Sequence, residues 1–545
     1  MSHQTSVAPH FDVIIVGAGF SGIYLVHRCV ASGMSVRCYE RGDGVGGTWY
    51  WNRYPGARCD VESMEYSYGF DEALQQEWEW PEKYSAQPDI LRYANHVADR
   101  FDVKRHIEFE TEVKSAHFDP VSRLWSTQTD KGQTITSKFV VMATGCISTA
   151  QLPEIEGLSK FKGETYHTGS WPHEKVDFTG KRVAVIGTGS SGIQAIPEIA
   201  KEAGHLTVFQ RTANFSIPTR NAPMTADYSR GWKEGYADKR ELMRYSHQGN
   251  TRPRGEKSAL EVNAEERQAI LETQWKNGGS GFLAAFNDIL VSQSANDMMS
   301  EFVRSKIYET VEDKKTAEIL APASHPIGTK RICVDSGYYE TYNRDNVNLI
   351  DISQNPIEHM TDNGLSVDGK VYEFDTIVFA TGFDAMTGTL FNIDIRGRNK
   401  LALKEKWKAG PRTYLGVMSE GFPNFFMITG PGSPSVKSNM LTSIEQHVDL
   451  VVSTIQHMRA KNFELIEPEI SAEDEWVDHV QEVANKTLFP QANSWYMGAN
   501  IPGKPRLFMP YIAGVGTYRR ICEEVVAENY RGFHLEPARS AAAAE

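Results

Sequence analysis

Apolar runs, glycine-rich turns and stretches of helical periodicity follow one another in a fixed order, and that order occurs twice. Residues 12–16 form a short apolar run that predicts a buried strand. A G-x-G-x-x-G turn at 17–22 follows, and apolar positions at helical spacing begin at Ile23. The same order returns with the run at 182–186 and the turn at 187–192. The pattern predicts an α/β fold with two Rossmann-like dinucleotide-binding domains.

The residue after the second strand of each unit indicates which dinucleotide that unit binds. The strand predicted at 35–39 ends at Glu40, which can hydrogen-bond a ribose diol and suits FAD. In the second unit Gln210 replaces the carboxylate and is followed by Arg211 and Thr212. Loss of the carboxylate removes repulsion of a 2'-phosphate, and the arginine adds a planar donor, so NADPH is favoured over NADH. The candidate loop contacts are Gly17, Gly19, Phe20 and Gly22 for FAD, and Gly187, Thr188, Gly189, Ser190, Ser191 and Gly192 for NADPH.

The repeat extends beyond the glycine turns. Strands predicted at 139–142 and 376–379 both run into the tripeptide Ala-Thr-Gly. Between the two halves, residues 224–320 are densely charged and contain helical windows such as 260–275. This region carries no nucleotide motif, so we interpret it as a helical insertion that serves packing and acts as a lid.

An apolar stripe near the C-terminus predicts a further core helix. Its members recur at helical spacing and are Ile444, Val448, Val451, Ile455 and Met458. Ser443 and Gln446 match a capping box, which predicts that the helix begins there.

These patterns divide the chain into five segments. We expect the FAD-binding domain at 1–147 and 384–545, the NADPH-binding domain at 148–220 and 329–383, and the helical insertion at 221–328. The last segment also holds a substrate loop and a C-terminal tail, 541–545, without a packing pattern.

Composition excludes several classes of protein. The formal net charge of −13 over 545 residues argues against a nucleic-acid partner. The six cysteines are scattered without a C-x-x-C or a Cys/His ligand spacing, so neither a disulfide framework nor a metal site is indicated. The first ten residues lack signal-peptide order, and no apolar run approaches the roughly 18 residues of a membrane span. We expect a soluble, cytoplasmic monomer or homodimer without a membrane partner.

One segment between the two glycine turns narrows the function further. Residues 161–172 fit F-x-G-x-x-x-H-x-x-x-W-P at every fixed position, which are Phe161, Gly163, His167, Trp171 and Pro172. In this the chain resembles type I Baeyer-Villiger monooxygenases, most closely the phenylacetone and cyclohexanone monooxygenase group. The resemblance implies FAD, NADPH and O2, with one oxygen atom inserted next to a ketone carbonyl through a C4a-peroxyflavin to give an ester or lactone. The resemblance leaves the kind of ketone open among cyclic ketones, aryl ketones and ketones that bear an acid or CoA ester.

The same resemblance assigns a candidate catalytic pair. A second fingerprint runs through Gly47, Thr48 and Trp49 and ends on Asp60, which is expected to orient the catalytic Arg331. A fixed cation is needed because negative charge develops on the substrate in a dry site. The alternatives are a surface arginine at 331 and an aspartate that caps a turn.

Other matching positions receive supporting roles. Lys330 is expected to join Arg211 and Thr212 at the 2'-phosphate, and Trp495 resembles a loop tryptophan that retains NADP+; ordinary aromatic core is its alternative. For His167, a structural or hinge role is favoured over direct proton transfer.

The candidate substrate loop contains Ser435, Val436, Lys437 and Met440. Relatives carry an apolar residue near Lys437, so a lysine here either meets an anionic substrate or, as the favoured interpretation, is solvated at a loop edge.

Three other functions remain open from the sequence. A flavin N- or S-oxygenase shares the fold, although such relatives usually lack the W-P ending and the Asp60/Arg331 pair. A disulfide reductase is disfavoured because no redox C-x-x-C is present. A nucleotide-sensing module would explain the glycine turns but not the other motifs.

Overall fold

The computed structural model describes residues 10–539. The predicted tail at 541–545 and the first nine residues lie outside the described part of the chain. The strands in chain order are β1 (Phe11–Val16), β2 (Val36–Tyr39), β3 (Ile107–Glu108), β4 (Val113–Asp119), β5 (Leu124–Thr129), β6 (Thr134–Met142), β7 (Glu164–His167), β8 (Arg182–Ile186), β9 (His205–Gln210), β10 (Ser216–Pro218), β11 (Cys333–Asp335), β12 (Val347–Asp351), β13 (Ile357–Thr361), β14 (Gly364–Val367), β15 (Lys370–Glu373), β16 (Thr376–Phe379), β17 (Asp394–Arg396), β18 (Phe425–Met427), β19 (Phe463–Pro468) and β20 (Phe533–Pro537).

The helices in chain order are α1 (Phe20–Ala31), α2 (Thr48–Trp51), α3 (Glu72–Glu77), α4 (Gln87–Arg100), α5 (Ser190–Glu202), α6 (Ala226–Glu234), α7 (Tyr236–Tyr245), α8 (Ala264–Asn277), α9 (Gln293–Thr310), α10 (Lys314–Leu320), α11 (Tyr338–Thr341), α12 (Gly388–Phe391), α13 (Leu403–Lys406), α14 (Met440–Lys461), α15 (Ile470–Asn485) and α16 (Val515–Ala527). Short 3-10 turns occupy Lys104–His106, Leu158–Lys160, Ser280–Ala284, Arg398–Lys400, Ser435–Lys437, Phe489–Gln491 and Trp495–Met497.

The first sheet combines a parallel dinucleotide-binding core with an antiparallel extension. Its order is β17-β4-β5-β6-β1-β2-β3, and β18 also pairs with β6. The first half of β6 pairs antiparallel with β5, and its second half pairs in parallel with β1 and β18. In register, Val16 lies between Tyr39 and Met142. The first glycine turn therefore leaves the sheet where three strands end together.

The second sheet repeats this core. All its strands are parallel, in the order β12-β9-β8-β16-β7. Ile186 lies between Phe209 and Phe379, the same arrangement as at the end of β1. The predicted α/β class with two Rossmann-like units is confirmed.

The smaller elements surround these two sheets. The strands β13 to β15 form an antiparallel meander, β10 pairs with β11, and β19 pairs with β20. Helices α6 to α10 occupy the region predicted to be a helical insertion. The domain boundaries at 147, 220, 328 and 383 stay a prediction.

The C-terminal apolar stripe is core, as its periodicity predicts. Its five members lie on α14 with side chains no more than 5% exposed, and α14 packs against α1 of the first sheet. Across residues 10–539, no helix combines the length and the apolar character required to cross a bilayer.

The predicted start of this helix is wrong. The helix begins at Met440, and Asn439 caps it by accepting a hydrogen bond from the backbone N–H of Leu441 at 3.1 Å. Ser443 and Gln446 lie inside the helix, and the Ser443 hydroxyl bonds instead to that of Ser438. The cap moves upstream because the Asn439 amide also donates to the backbone oxygen of Glu65, a contact that the local sequence does not reveal.

The position of the cap can be tested by stability. We expect Asn439→Ala to lower the free energy of unfolding by about 1–2 kcal/mol, because the cap and the buried bond to Glu65 are both lost. Ser443→Ala, the matched control, should have the smaller effect. Urea unfolding followed by far-ultraviolet circular dichroism measures both, and a larger loss for Ser443→Ala would restore the capping box.

Candidate active site

Both glycine turns open onto one shared cavity. Its volume is about 1300 Å³, more than the roughly 300–1,000 Å³ of a pocket for one drug-sized ligand. The cavity extends along the strand ends of the first sheet, past Asp60 and Arg331, to those of the second sheet. Such a cavity suits two extended ligands bound end to end.

The first glycine turn forms an anion cradle from backbone alone. Gly17 has a φ of +102°, and an added Cβ would lie 2.7 Å from the Ala143 carbonyl oxygen. A side chain at Gly22 would overlap the Gly17 carbonyl. Helix α1 begins at Phe20 after Gly19 without a capping side chain, so its first N–H groups remain available to an anion.

Glu40 lies at the edge of this cradle. Its two carboxylate oxygens accept backbone hydrogen bonds from Ala18 and Gly42, each at 2.8 Å. Burial raises the pKa of Glu40, whereas these hydrogen bonds favour its charged form. The carboxylate therefore holds the turn in shape and still faces the cavity with unused lone pairs.

The second glycine turn has the same construction. Gly187 has a φ of +108°, and an added Cβ would lie 2.5 Å from the Ala380 carbonyl oxygen. Helix α5 begins at Ser190 after Gly189, again without a capping side chain. Gly187, Thr188, Gly189, Ser190 and Ser191 line the cavity, whereas Gly192 packs behind the turn against Gly187.

Two cations converge beside the second turn. Arg211 and Lys330 both line the cavity, as does Thr212, whereas the amide of buried Gln210 turns away to donate to Ile319. Burial, and then the charge of Arg211, lower the pKa of Lys330. Within residues 10–539, neither cation has a carboxylate within 4.0 Å. An anionic ligand group would relieve this repulsion.

Asp60 and Arg331 form the ion pair at the centre of the cavity. The Arg331 Nε donates to Asp60 at 3.0 Å, and Nη2 donates to both carboxylate oxygens at 2.8 and 2.6 Å. The Asp60 charge holds the pKa of Arg331 above its ordinary value. Nη1 donates to the backbone oxygen of Val436 at 3.2 Å. The structure thus brings together the predicted pair and the candidate substrate loop.

The segment that carries Asp60 is fixed by the second Rossmann unit. The Tyr54 hydroxyl donates to the side chain of Gln194 on α5 at 2.9 Å, and the Gln194 amide donates to the Arg58 backbone at 3.0 Å. Sequence reasoning missed Gln194, because its position on α5 belongs to no motif. Its contacts place Asp60 relative to the second glycine turn.

The second fingerprint also shapes the wall near the first turn. Gly47 has a φ of +54°, and an added Cβ would lie 2.8 Å from the Gly19 Cα. Thr48 and Trp49 open α2 and line the cavity with Gly47. The Trp49 indole donates to the Tyr66 hydroxyl at 3.1 Å. These contacts bring α2 against the glycine cradle.

The segment 161–172 lies behind the cavity rather than in it. Phe161 is buried in the core of the second unit, and an added Cβ at Gly163 would lie 2.5 Å from the Asp375 carbonyl oxygen. Trp171 is buried and donates its backbone N–H to the Trp51 carbonyl at 3.2 Å, just before Pro172. This segment therefore connects the second sheet to α2 beside the first glycine turn.

His167 has no free nitrogen with which to abstract a proton. Its Nδ1 accepts from the Gly169 N–H at 2.9 Å, and its Nε2 lies 3.3 Å from the Gln151 carbonyl and the Thr381 hydroxyl. Burial lowers the pKa of His167. It is absent from the cavity wall, and this geometry agrees with a structural role.

The loop with Trp495 covers one side of the cavity. Trp495 lines the wall, and the ring of Tyr496 lies 4.3 Å from it, centroid to centroid. The ammonium of Lys504 donates to Asp384 at 2.6 Å, and the Asn500 amide donates to the Phe383 carbonyl at 2.8 Å. Sequence reasoning missed Tyr496 and Lys504; adjacency to Trp495 was the one available signal for Tyr496.

The candidate substrate loop is only partly in the cavity wall. Val436 and Met440 line it, whereas Ser435 is fully buried and Lys437 is absent from the wall. Lys437 is partly buried rather than fully solvated, so the interpretation of a solvated lysine at a loop edge holds only in part. Its ammonium lies 4.5 Å and 4.8 Å from the ring centroids of Phe489 and Tyr496.

Two glycine cradles on one cavity define a protein of the class that holds two dinucleotides. A family described as flavin-binding monooxygenase-like matches residues 11–224. A Baeyer-Villiger monooxygenase of Pseudooceanicola batsensis is 42% identical over 537 residues, which is 96% of each chain. The phenazine N-monooxygenase PhzNO1 of Lysobacter antibioticus is 39% identical over 97% of this chain and 98% of that protein.

Solved structures give the same result. Oxidized steroid monooxygenase bound to NADP is 50% identical, with a TM-score of 0.93 over 97% of this chain and 100% of that chain. OTEMO in complex with FAD and NADP is 39% identical, with a TM-score of 0.94 over the same shares. The chain belongs to the Baeyer-Villiger monooxygenase family.

The strength of the central ion pair can be measured by a double-mutant cycle. We expect Asp60→Asn and Arg331→Met to be coupled by about 1–3 kcal/mol, because each single change leaves a partly buried charge or donor unpaired. Thermal unfolding of the FAD-loaded protein reports the coupling. Additive effects of the two changes would show that the pair contributes no mutual stabilisation.

Proposed function

We propose that this protein is an NADPH- and O2-dependent monooxygenase that converts a ketone to an ester or lactone. The balanced reaction consumes the ketone, O2, NADPH and a proton, and it yields the ester, NADP+ and water. The observation that carries this proposal is the Asp60–Arg331 pair, which lies on the cavity shared by the two glycine cradles. A cation fixed between two dinucleotide sites is placed to act on a ketone that lies between them.

The first cradle fits FAD. Its backbone N–H groups at the start of α1 would hold the pyrophosphate, and Glu40 would accept hydrogen bonds from the ribose hydroxyls. Gly47, Thr48 and Trp49 would extend this surface toward Asp60. Bound FAD supplies the chemistry by which electrons from NADPH activate O2.

The second cradle fits NADPH. The residues of the glycine turn would hold the pyrophosphate at the start of α5. Arg211, Lys330 and Thr212 would hold the 2'-phosphate, since the two cations face the cavity without a carboxylate partner. Trp495 would cover the nucleotide and exclude water from the site.

Arg331 stabilises the negative charge that develops on the ketone oxygen when the carbonyl carbon is attacked. Arg331 lines the cavity, and Asp60 fixes the orientation of its guanidinium through Nε and Nη2. This preorganisation lowers the barrier because the donors do not reorient as charge develops. Val436 and Met440 contribute an apolar wall for the ketone.

Oxygenation of nitrogen is the second candidate reaction. One relative is named for N-oxygenation of a phenazine, and its identity to this chain is similar to that of the relative named for Baeyer-Villiger oxidation. The ketone reaction is favoured because an amine nitrogen carries no carbonyl oxygen for Arg331 to stabilise. The cytoplasmic location and the monomeric or homodimeric state stay predictions.

The reaction is tested by product analysis. We expect FAD-loaded protein with NADPH and 18O-labelled O2 to convert members of a ketone panel to esters or lactones that carry one labelled atom. Mass spectrometry of the products measures this, with amines and thioethers assayed in parallel. Labelled amine or thioether oxides with untouched ketones would replace the proposal by the second candidate.

A substitution of Arg331 tests its role in ketone oxygenation separately from cofactor binding. We expect Arg331→Met to lower the kcat for ester formation at least 100-fold, because a preorganised donor to the oxyanion is lost. NADPH should still bind and be oxidised. Arg230→Ala, a change at an exposed arginine of α6, is the control and should have no effect. Retention of ester formation by Arg331→Met would exclude the assigned role.

We expect His167 to act by holding its segment in place rather than by transferring a proton. His167→Ala should slow both the reduction of FAD by NADPH and ester formation, since the segment connects the second sheet to α2. Stopped-flow absorbance measures the first step and product analysis the second. The exposed His534→Ala is the control. Normal reduction with a selective loss of ester formation would instead favour proton transfer by His167.

A further inference from the structure

The charge of Arg331 is compensated before any substrate arrives. Asp60 accepts three hydrogen bonds from its guanidinium, so the pair carries no net charge. A neutral pair directs hydrogen bonds at an oxyanion, but it gives little net positive potential at longer range. Net positive charge near this pair must therefore come from another group.

Lys437 is the cation that can supply this charge. It ends the 3-10 turn Ser435–Lys437, directly after Val436, whose carbonyl accepts from Arg331. Its ammonium lies over the rings of Phe489 and Tyr496 at 4.5 Å and 4.8 Å. Both rings are almost fully buried. The side chain is thus partly buried against these two rings, and Tyr496 in turn adjoins Trp495.

The groups that face Lys437 leave its charge uncompensated. The charged and titratable groups that act on it are Arg331 and His247, and the rings of Phe489 and Tyr496 lie beneath it. Burial and neighbouring cations lower the pKa of His247, so this side is neutral near pH 7. Within residues 10–539, no carboxylate lies within 4.0 Å of the Lys437 ammonium. In the described part of the chain, the two ring faces are what compensates this charge.

Tyr496 connects Lys437 to the ion pair. Burial raises the pKa of Tyr496 to about 12, although the Arg331 charge opposes that rise. The tyrosine is therefore neutral and lies in the field of Arg331 on one side and under the Lys437 ammonium on the other. A cation over its ring draws electron density from the ring and so weakens the hydroxyl oxygen as an acceptor, which leaves more of the Arg331 charge uncompensated.

We propose that Lys437 is a positioning residue for the ketone reaction: its ammonium supplies the net positive charge that the Arg331–Asp60 pair lacks, and it acts through Tyr496. The inference rests on the proposed function. Deprotonation of Lys437 would then weaken stabilisation of the oxyanion without disturbing either glycine cradle.

The protonation state of Lys437 is expected to change near neutral pH. Burial, and then the positive charge of Arg331, lower the pKa of Lys437 to about 7. The two ring faces favour the ammonium form and oppose this shift. The positive charge is present below this pKa and is lost as the pH rises through it. Ester formation should fall over the same range.

Two substitutions isolate the charge. Lys437→Met keeps a long flexible side chain without charge, and Lys437→Arg keeps a charge that does not titrate near neutral pH. We expect the wild-type kcat for a neutral cyclic ketone to fall roughly tenfold between pH 6 and pH 9. The Met variant should be roughly tenfold slower at pH 6 and independent of pH, and the Arg variant should stay fast throughout. The rate of FAD reduction by NADPH should be the same in all three.

A stability measurement tests the charge independently of activity. The folded pKa lies below the unfolded value of about 10.4, so the unfolded chain binds the extra proton between these two values. The stability of the wild type relative to Lys437→Met should therefore rise with pH from about 7 to about 10 and be constant below 7. Thermal unfolding of the FAD-loaded proteins measures it.

The outcomes separate this inference from the function on which it rests. If the wild type forms no ester from any ketone, the proposed function fails, and the inference fails with it. If the wild type forms ester and the Met variant matches it in kcat and pH profile, only the inference fails. A Met variant that changes only the KM of carboxylate-bearing ketones would show that Lys437 binds a substrate anion instead.

Discussion

The ion pair between Asp60 and Arg331 is the constraint on which the rest of the site depends. It joins residues 271 positions apart, one in the segment after the first glycine turn and one before β11. Tyr54 and Arg58, on the Asp60 side, also contact Gln194 on α5. Neither Rossmann unit could shift freely without disturbing this geometry. The pair therefore fixes the orientation of the Arg331 guanidinium and links the two cradles.

The two glycine cradles share the same backbone geometry for the same steric reason. At Gly17 and Gly187 the chain leaves a central strand with a positive φ and passes within contact of the carbonyl of Ala143 or Ala380. No residue with a Cβ fits there without displacing a neighbouring strand. Because these surfaces are backbone, they recognise pyrophosphate in general, and side chains such as Glu40 and Arg211 must distinguish the dinucleotides.

Local order in the sequence was sufficient for the repeated strand-turn-helix units, because strand, glycine turn and helix are adjacent in the chain. The fixed spacing of the two fingerprints was sufficient to nominate Asp60 and the segment around His167, whereas Arg331 was nominated by the resemblance to the family. Contacts between distant residues were not accessible in this way. The cap of α14 depends on Glu65, and the environment of Lys437 depends on Phe489 and Tyr496. In both cases contacts with distant residues determine a feature that the local sequence predicted differently.

The ion pair between Lys504 and Asp384 holds the loop beside Trp495 in place. Only 9% of the Lys504 side chain is exposed, so dissolved salt screens this ion pair weakly. Opening the loop beside Trp495 must break that pair together with the Asn500 hydrogen bond. High salt alone would therefore not release the loop, which stays attached through contacts of which one is shielded from solvent ions.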